Sequence, residues 1–406
     1  MKYIVIIGDG MADRPIDSLG GKTPLQAAFT PNMDKLAKAG RIGMVRTIPP
    51  GFPPGSDVAN LSILGYDPAV YYSGRAPLEA ASMGIELSEN DVAFRCNLVT
   101  LKYNKTRDRA VMEDYSAGHI SSDEAKELID TVNRELGGEE FSFYHGISYR
   151  HLMVWHGGKD AMECIPPHDI IGKEITEYLP CGEGEEKLRE LMKASVGILE
   201  GHRINKKRAE MGKNIANSIW LWGQGRKPHM PSYKDKYGVS GSLVSAVDLT
   251  KGLGIYAGLE ILDVPGVTGY LDTNYAGKAE YALASLERHD FTYIHVEAPD
   301  EAGHSGNVDD KIKAIEDFDA LVVGTIIRGI RSFDACRILL MPDHPTPISI
   351  RTHSDAPVPF VIYDSREEIS HENITYDESI SDHPDAVHID RGYTLMDGFI
   401  KEGKGR

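Results

Sequence analysis

Short apolar runs that end at acidic turns set the rhythm of this chain. Tyr3-Ile4-Val5-Ile6-Ile7, Tyr293-Ile294-His295-Val296 and Ile338-Leu339-Leu340-Met341 are too short for helices and lack the alternation of a half-exposed strand. That is the pattern of strands buried on both faces of a parallel sheet. Between them the spacing becomes helical. Residues 30–40 carry a start-to-stop grammar, with Thr30 as hydroxyl cap, Pro31 in the first turn, Met33, Leu36 and Ala37 as apolar positions, and Gly40 at the end. Residues 274–289 and 309–330 read as further helices, and 218–222 and 357–363 as further strands. Strands alternating with helices, joined by right-handed crossovers, predict an α/β fold with a doubly wound, largely parallel sheet.

The texture changes in the middle. Ser121-Ser122-Asp123-Glu124 has the form of a capping box opening a helix to about 136. A strand-like stretch at 148–155, a Gly-, Pro- and acid-rich stretch at 157–184 and a helix to about 199 follow. This predicts a small α+β cap domain at 116–195, inserted between the two parts, 1–115 and 196–406, of a larger domain.

Composition narrows the function. The 406 residues carry a net charge of −17, which works against a nucleic-acid backbone as partner, since that binding is dominated by Lys and Arg on phosphates. The four cysteines, Cys96, Cys164, Cys181 and Cys336, form no Cys-x-x-Cys, which suits a reducing compartment and argues against a thiolate zinc site. No apolar run approaches the roughly 20 residues that span a bilayer, and Met1-Lys2-Tyr3 leads directly into a strand. The expectation is a cytoplasmic protein with neither membrane nor nucleic acid as partner.

Candidate chemistry sits where the apolar runs end. Asp9 follows the first, Asp300 and His304 follow the second, and Asp343, His344 and His353 follow the third. Ligands collect at the carboxyl ends of strands in open α/β sheets, so three such loops can converge on one rim. Asp300 and His304 are four residues apart and share a helix face, whereas adjacent Asp343 and His344 can serve neighbouring ions only from a loop. Oxygen and imidazole donors without thiolate suit two divalent ions, Mn²⁺ first, with Zn²⁺ or Mg²⁺ as alternatives. In Pro53-Pro54-Gly55-Ser56-Asp57-Val58-Ala59-Asn60, Ser56 stands before a helix-like run. Its hydroxyl is either an N-cap or, beside a metal pair, a nucleophile.

The order Asp9, Ser56, Asp300-x-x-x-His304, Asp343-His344 and His353 resembles the alkaline phosphatase superfamily. Gly20-Gly21-Lys22-Thr23-Pro24-Leu25-Gln26-Ala27-Ala28, Thr30-Pro31-Asn32-Met33-Asp34, Lys251-Gly252-Leu253-Gly254 and Gly266-Val267-Thr268-Gly269-Tyr270 are similar to its archaeal-type branch, the 2,3-bisphosphoglycerate-independent phosphoglycerate mutases. The resemblance implies interconversion of 3- and 2-phosphoglycerate, a small phosphorylated metabolite, through a phosphoserine at Ser56. It implies one ion held by Asp9, Ser56, Asp343 and His344, another by Asp300, His304 and His353, and Lys251 beside the phosphate. It also places Arg150, His151, Arg203, Asn205 and Arg208 on the substrate side. One departure bears on the substrate: where such mutases are arginine-rich, this chain has Asp114-Tyr115-Ser116 and, after Ala117-Gly118, His119. An ATP-dependent homoserine kinase of the same branch, or a metal-dependent phosphatase or phosphonate hydrolase, therefore stands as the alternative.

Overall fold

The first apolar run forms β1 (Lys2–Gly8), followed by β2 (Arg41–Val45). The chain then leaves for a second body containing β3 (Val92–Tyr103), β4 (Ala110–Asp114), β5 (Phe141–Tyr144), β6 (Arg150–Trp155), β7 (Met162–Glu163), β8 (Cys181–Gly182) and β9 (Ser218–Gly225). It returns with β10 (Gly241–Val244), β11 (Glu260–Ile261), β12 (Phe291–Val296), β13 (Cys336–Met341), β14 (Val358–Asp364) and β15 (Val387–Ile389). This is a computed structural model, and it describes residues 1–404. No helix among the described residues is long and apolar enough to cross a membrane.

The first unit, Met1–Tyr72 with His229–Arg406, is built on an eight-stranded sheet in the order β11-β10-β12-β1-β13-β14-β2-β15. Only β14 runs antiparallel to its neighbours. Alternate side chains point to opposite faces of a strand, and both faces of β1 are covered. Ile4 and Ile6 join Ile294, Val296, Ile338 and Leu340 in a core with Met33, Leu36, Ala279 and Ile315 from helices. Tyr3, on the other face, is 2% exposed and meets the Phe399 ring edge-on at 5.7 Å. This is the expected doubly wound, largely parallel arrangement.

The second unit, Ser73–Pro228, is an antiparallel body in which β3 lies between β6 and β9 and also pairs with β4. Helices Ser122–Leu136 and Glu185–Leu199 pack on it around Phe94, Leu128, Leu188 and Trp220. The insertion is thus wider than the expected 116–195. Its first strand, β3, lies before that window, and its last, β9, was expected to rejoin the larger sheet. Both are bound into the smaller sheet by ladder hydrogen bonds, and the unit they belong to runs from 73 to 228.

Several helix starts follow local chemistry. Ser121 and Asn274 accept from the amides of Glu124 and Gly277, at 3.3 and 2.9 Å. Thr30 makes no such bond. Its task falls to Asp319, nearly 300 residues away, whose carboxylate accepts from Met33 N at 2.7 Å and Asn32 N at 3.2 Å. Asp319→Ala should cost about 1–2 kcal/mol of stability, the usual worth of a lost helix cap, read as a lower urea midpoint with unchanged slope.

Candidate metal centre

Three neighbouring parallel strands, in the order β12-β1-β13, deliver their carboxyl ends side by side. Asp9 leaves β1, helix Ala298–Ser305 after β12 carries Asp300 in its first turn and His304 in its last, and Asp343 and His344 follow β13. The close approach requires a glycine after Asp9. Gly10 has φ +62, and a Cβ there would lie 2.5 Å from Asp300 Oδ1. Gly10→Ala should therefore lower the melting temperature and the number of ions retained, a left-handed non-glycine costing about 1–2 kcal/mol before any clash.

The side chains converge as the strand ends predict. Asp300 Oδ2 lies 3.2 Å from His304 Nε2, Asp300 Oδ1 lies 3.5 Å from His353 Nε2, and the two imidazole nitrogens are 2.9 Å apart. His344 Nε2 is 3.5 Å from Asp9 Oδ1, 3.4 Å from Asp343 Oδ2 and 3.0 Å from Ser56 Oγ. Three ligand-type groups result: Asp300 with His304 and His353; Asp9 with Asp300 and His344; Asp9 with His295 and Asp343. Asp300 therefore belongs to both sides of the cluster. His295 joins without having been foreseen, because it sits inside what reads as an apolar strand.

The surroundings orient these donors. Each imidazole turns Nδ1 to an oxygen: His304 to Arg351 O at 3.0 Å, His353 to Pro54 O at 3.4 Å, His344 to Thr346 Oγ1 at 3.3 Å and His295 to Ser245 Oγ at 3.2 Å. Nε2 is thereby left toward the carboxylates, as in metal sites whose second shell fixes the tautomer. Thr346 also donates to Asp300. Asn60, one turn after Ser56, donates to Asp343 Oδ2 at 2.9 Å and to Ser56 O at 2.8 Å, and accepts from Tyr293.

The electrostatics favour cations. Burial, and then the negative charges of Asp343 and Asp300, hold the Asp9 carboxyl well above the usual carboxylate range. Its Oδ1 is buried without a hydrogen-bond partner, as is His295 Nε2. Buried unsatisfied polar atoms are costly, and a cation among them removes the cost, so the donor set fits divalent ions. Burial would also raise Asp300, but hydrogen bonds from His304 and His353 outweigh it and hold the group well below its ordinary value. Burial lowers His344 and takes His295 down to about 4.

The hydrogen bond to Asp300 lifts His304 from 6.5 to about 9. Without ions, this pair stabilises the fold below pH 6.5 and loses that contribution as pH rises through about 9. A cation must displace the His304 proton, so apparent metal affinity should climb over that interval and level off above it, as a pH series of metal titrations can check.

Ser56 is the first residue of helix Ser56–Ile63, with Gly55 at the cap position, and its side chain makes no capping bond. The hydroxyl is directed instead to His344. Lys251 lies on helix Asp248–Tyr256, which packs against the Ser56 helix. Burial first, with the Lys251 charge contributing, lowers the buried Lys278 to about 8, and Lys278 donates to His295 O at 2.8 Å.

The residues expected on the substrate side all lie in the second unit, and three of them are internally engaged. Asn205 donates to Leu199 O and Ala216 O at 2.8 and 2.7 Å and accepts from Ala216 N at 2.9 Å. Arg208, 2% exposed, donates to Asn214 O, Glu124 and Ala117 O. His151 is 1% exposed, accepts from Gly146 N at 3.0 Å, and is lowered to about 3 by burial and then by His145. These three side chains are engaged within the unit, and each of the three guanidinium nitrogens of Arg208 has a protein acceptor. Arg203 is exposed and paired with Glu127; Arg150 is exposed, 5.9 Å over the Tyr149 ring. Asp114 accepts from Ser116 N, Ser116 Oγ, Gly118 N and Asn214 Nδ2, at 2.6–2.8 Å, so its charge closes a loop.

Comparison with known proteins agrees with this geometry. The family model for 2,3-bisphosphoglycerate-independent phosphoglycerate mutase matches residues 37–205. A Geobacter sulfurreducens relative, named a probable mutase of that kind, is 56% identical over 400 residues, covering 98% of this chain and 100% of its own. The chain belongs to this family. A Methanosarcina barkeri mutase of the family is 57% identical, covering 93% of this chain and 94% of its own. Among solved structures, a Pyrococcus horikoshii protein superposes with TM-score 0.78 at 30% identity, covering 98% of this chain and 96% of the other. The cofactor-independent phosphoglycerate mutase of Thermoplasma acidophilum gives 0.68 at 29%, with both chains covered completely.

Proposed function

We propose that this family member is a cofactor-independent phosphoglycerate mutase that moves the phosphoryl group of 3-phosphoglycerate to position 2 through Ser56. The observation that carries the reading is Ser56 Oγ, free of capping duty and 3.0 Å from His344, beside the carboxylates of Asp9, Asp300 and Asp343. Full-length identity to relatives named as mutases supports the substrate.

Asp9, Ser56, Asp343 and His344, joined by His295, are assigned to one divalent ion, and Asp300, His304 and His353 to the other. Mn²⁺ is the first choice, with Zn²⁺ or Mg²⁺ as alternatives. Bound there, such ions supply positive charge for the serine alkoxide and the phosphoryl oxygens. Ser56 Oγ gives up its proton and attacks phosphorus, the bond from phosphorus to the C3 oxygen breaks, and that oxygen takes up a proton. In the return step the C2 hydroxyl gives up its proton and attacks the phosphoserine, the bond from phosphorus to Ser56 Oγ breaks, and the freed Oγ takes a proton back. Lys251, on the helix packed against the Ser56 helix, is assigned to offset phosphate charge, and the N-terminal end of the Ser56 helix adds to that role.

Incubation of the purified, Mn²⁺-loaded protein with 3-phosphoglycerate alone, followed by phosphorus NMR, tests the reading. Formation of 2-phosphoglycerate without added nucleotide is expected. Phosphorylation of homoserine that requires ATP, with no 2-phosphoglycerate formed, would overturn it.

A further inference from the structure

Away from Ser56, the segment between β14 and β15 carries a second convergence of ligand-type groups. His371, His383 and Asp385 each place one donor atom within 4.8 Å of the others. His371 Nδ1 lies 3.5 Å and His383 Nδ1 3.9 Å from the same oxygen, Asp385 Oδ2. Donors bound tetrahedrally at about 2.0–2.1 Å stand roughly 3.3 Å from one another, so the two imidazole–carboxylate spacings are slightly wider than those of a filled site. An ordinary surface ion pair would draw one ring into a short hydrogen bond with the carboxylate. Here both nitrogens stand off from it, and the rings meet edge-on, 5.2 Å apart at 79°.

The protonation pattern also fits ligation. His371 Nε2 lies 3.1 Å from Gly40 O, an acceptor only, so that nitrogen carries the proton of the neutral ring and Nδ1, the ligating nitrogen, faces Asp385. His383 Nδ1 accepts from Asp385 N at 3.2 Å, so it too is unprotonated toward the carboxylate, and an ion displaces only this long amide bond. The His371 and His383 side chains are 11% and 24% exposed, whereas that of Asp385 is 67% exposed, which gives an ion a route from solvent.

We propose that His371, His383 and Asp385 form a third metal site, for a zinc-class divalent cation, that clips the segment between β14 and β15 together. Two imidazoles and one carboxylate favour Zn²⁺, Ni²⁺ or Cu²⁺ over Mg²⁺ and Ca²⁺, which prefer oxygen shells. The clip has something to hold. At one end His371 is anchored to the end of helix Pro31–Ala39, its amide donating to Lys38 O at 2.9 Å. Within the clipped stretch, Glu378 accepts from Asp13 N at 3.0 Å and Thr23 Oγ1 at 2.6 Å.

The test compares the full-length protein with Asp385→Ala and His371→Gln after equilibrium dialysis against Zn²⁺, counting bound ions per chain and recording melting curves. Asp385 is chosen first because removing so exposed a side chain leaves the fold intact. Each variant should hold one ion fewer than the parent at a Zn²⁺ concentration that just fills the parent, with affinity at this site at least about tenfold weaker. Each should lose part of the Zn²⁺-induced rise in melting temperature, with mutase turnover unchanged. Against Mg²⁺, parent and variants should hold equal numbers of ions. Equal Zn²⁺ content and affinity in parent and Asp385→Ala would overturn the site, and a deficit with Mg²⁺ would overturn its zinc-class selectivity. Because the readout is a difference between proteins sharing one catalytic centre, it stands apart from the mutase assignment.

Discussion

Ser56→Ala should lower mutase turnover by on the order of 10⁴-fold or more, the loss typical when a covalent catalyst is deprived of its nucleophile. The fold should survive, because the Ser56 hydroxyl caps nothing and its recorded side-chain partner is His344. Circular dichroism and melting temperature are therefore expected to match the parent while turnover disappears. Cysteine at the same position is a sharper probe: it keeps a nucleophile but offers a softer, larger donor, so weak residual activity is expected from Ser56→Cys and none from alanine. Near-parental turnover in Ser56→Ala would mean that the phosphoryl group passes without a serine intermediate.

Asp300→Ala should be nearly as severe and should differ from its neighbours in kind. Asp300 is shared by the group containing His304 and His353 and the group containing Asp9 and His344, so its removal takes a donor from both groups. His304→Ala removes a donor from only one. Metal analysis should show Asp300→Ala retaining fewer ions than His304→Ala, with turnover lowered by about 10³-fold or more, since charge stabilisation at the transferring group is among the largest catalytic terms. Equal ion content in the two variants would show that the carboxylate does not join the two sides. Thr346→Val, which removes the hydroxyl donating to Asp300, should give a milder fall in metal affinity, within about 10–100-fold.

The convergence of Asp9, Asp300 and Asp343 was legible in the sequence because buried parallel strands are apolar along their whole length and stop abruptly. Asp9, Asp300 and Asp343 stand next to such stops, and β12, β1 and β13 lie side by side. What joins the strands is not local, and there the reading failed. β3 and β9 have the same apolar texture as the strands of the larger sheet, and only the pairing of Leu98 with Ile219 and of Cys96 with Leu221 assigns them to the insertion. Thr30 had the chemistry of a cap, yet Asp319, far along the chain, takes the amides.

The same limit governs the substrate-side residues. The stretch around Arg203 to Arg208 looks uniformly basic, but its helix buries Ile204, Asn205 and Arg208 and exposes Arg203, Lys206 and Lys207, so composition concealed which cations are spent inside. The i, i+4 relation of Ile204 and Arg208 was the available signal. His295 escaped for the opposite reason, as one polar letter in an apolar run. A histidine in a strand buried on both faces needs a polar partner, and Asp9 stands 3.2 Å away.

The most direct measurement is a rapid-quench experiment with 3-phosphoglycerate labelled in its phosphoryl group, followed by peptide mapping of the protein and analysis of the product. The account predicts label on the peptide containing Ser56 during turnover, label in 2-phosphoglycerate afterwards, and no dilution by free inorganic phosphate. Label appearing in product or in inorganic phosphate without ever passing through Ser56 would contradict it.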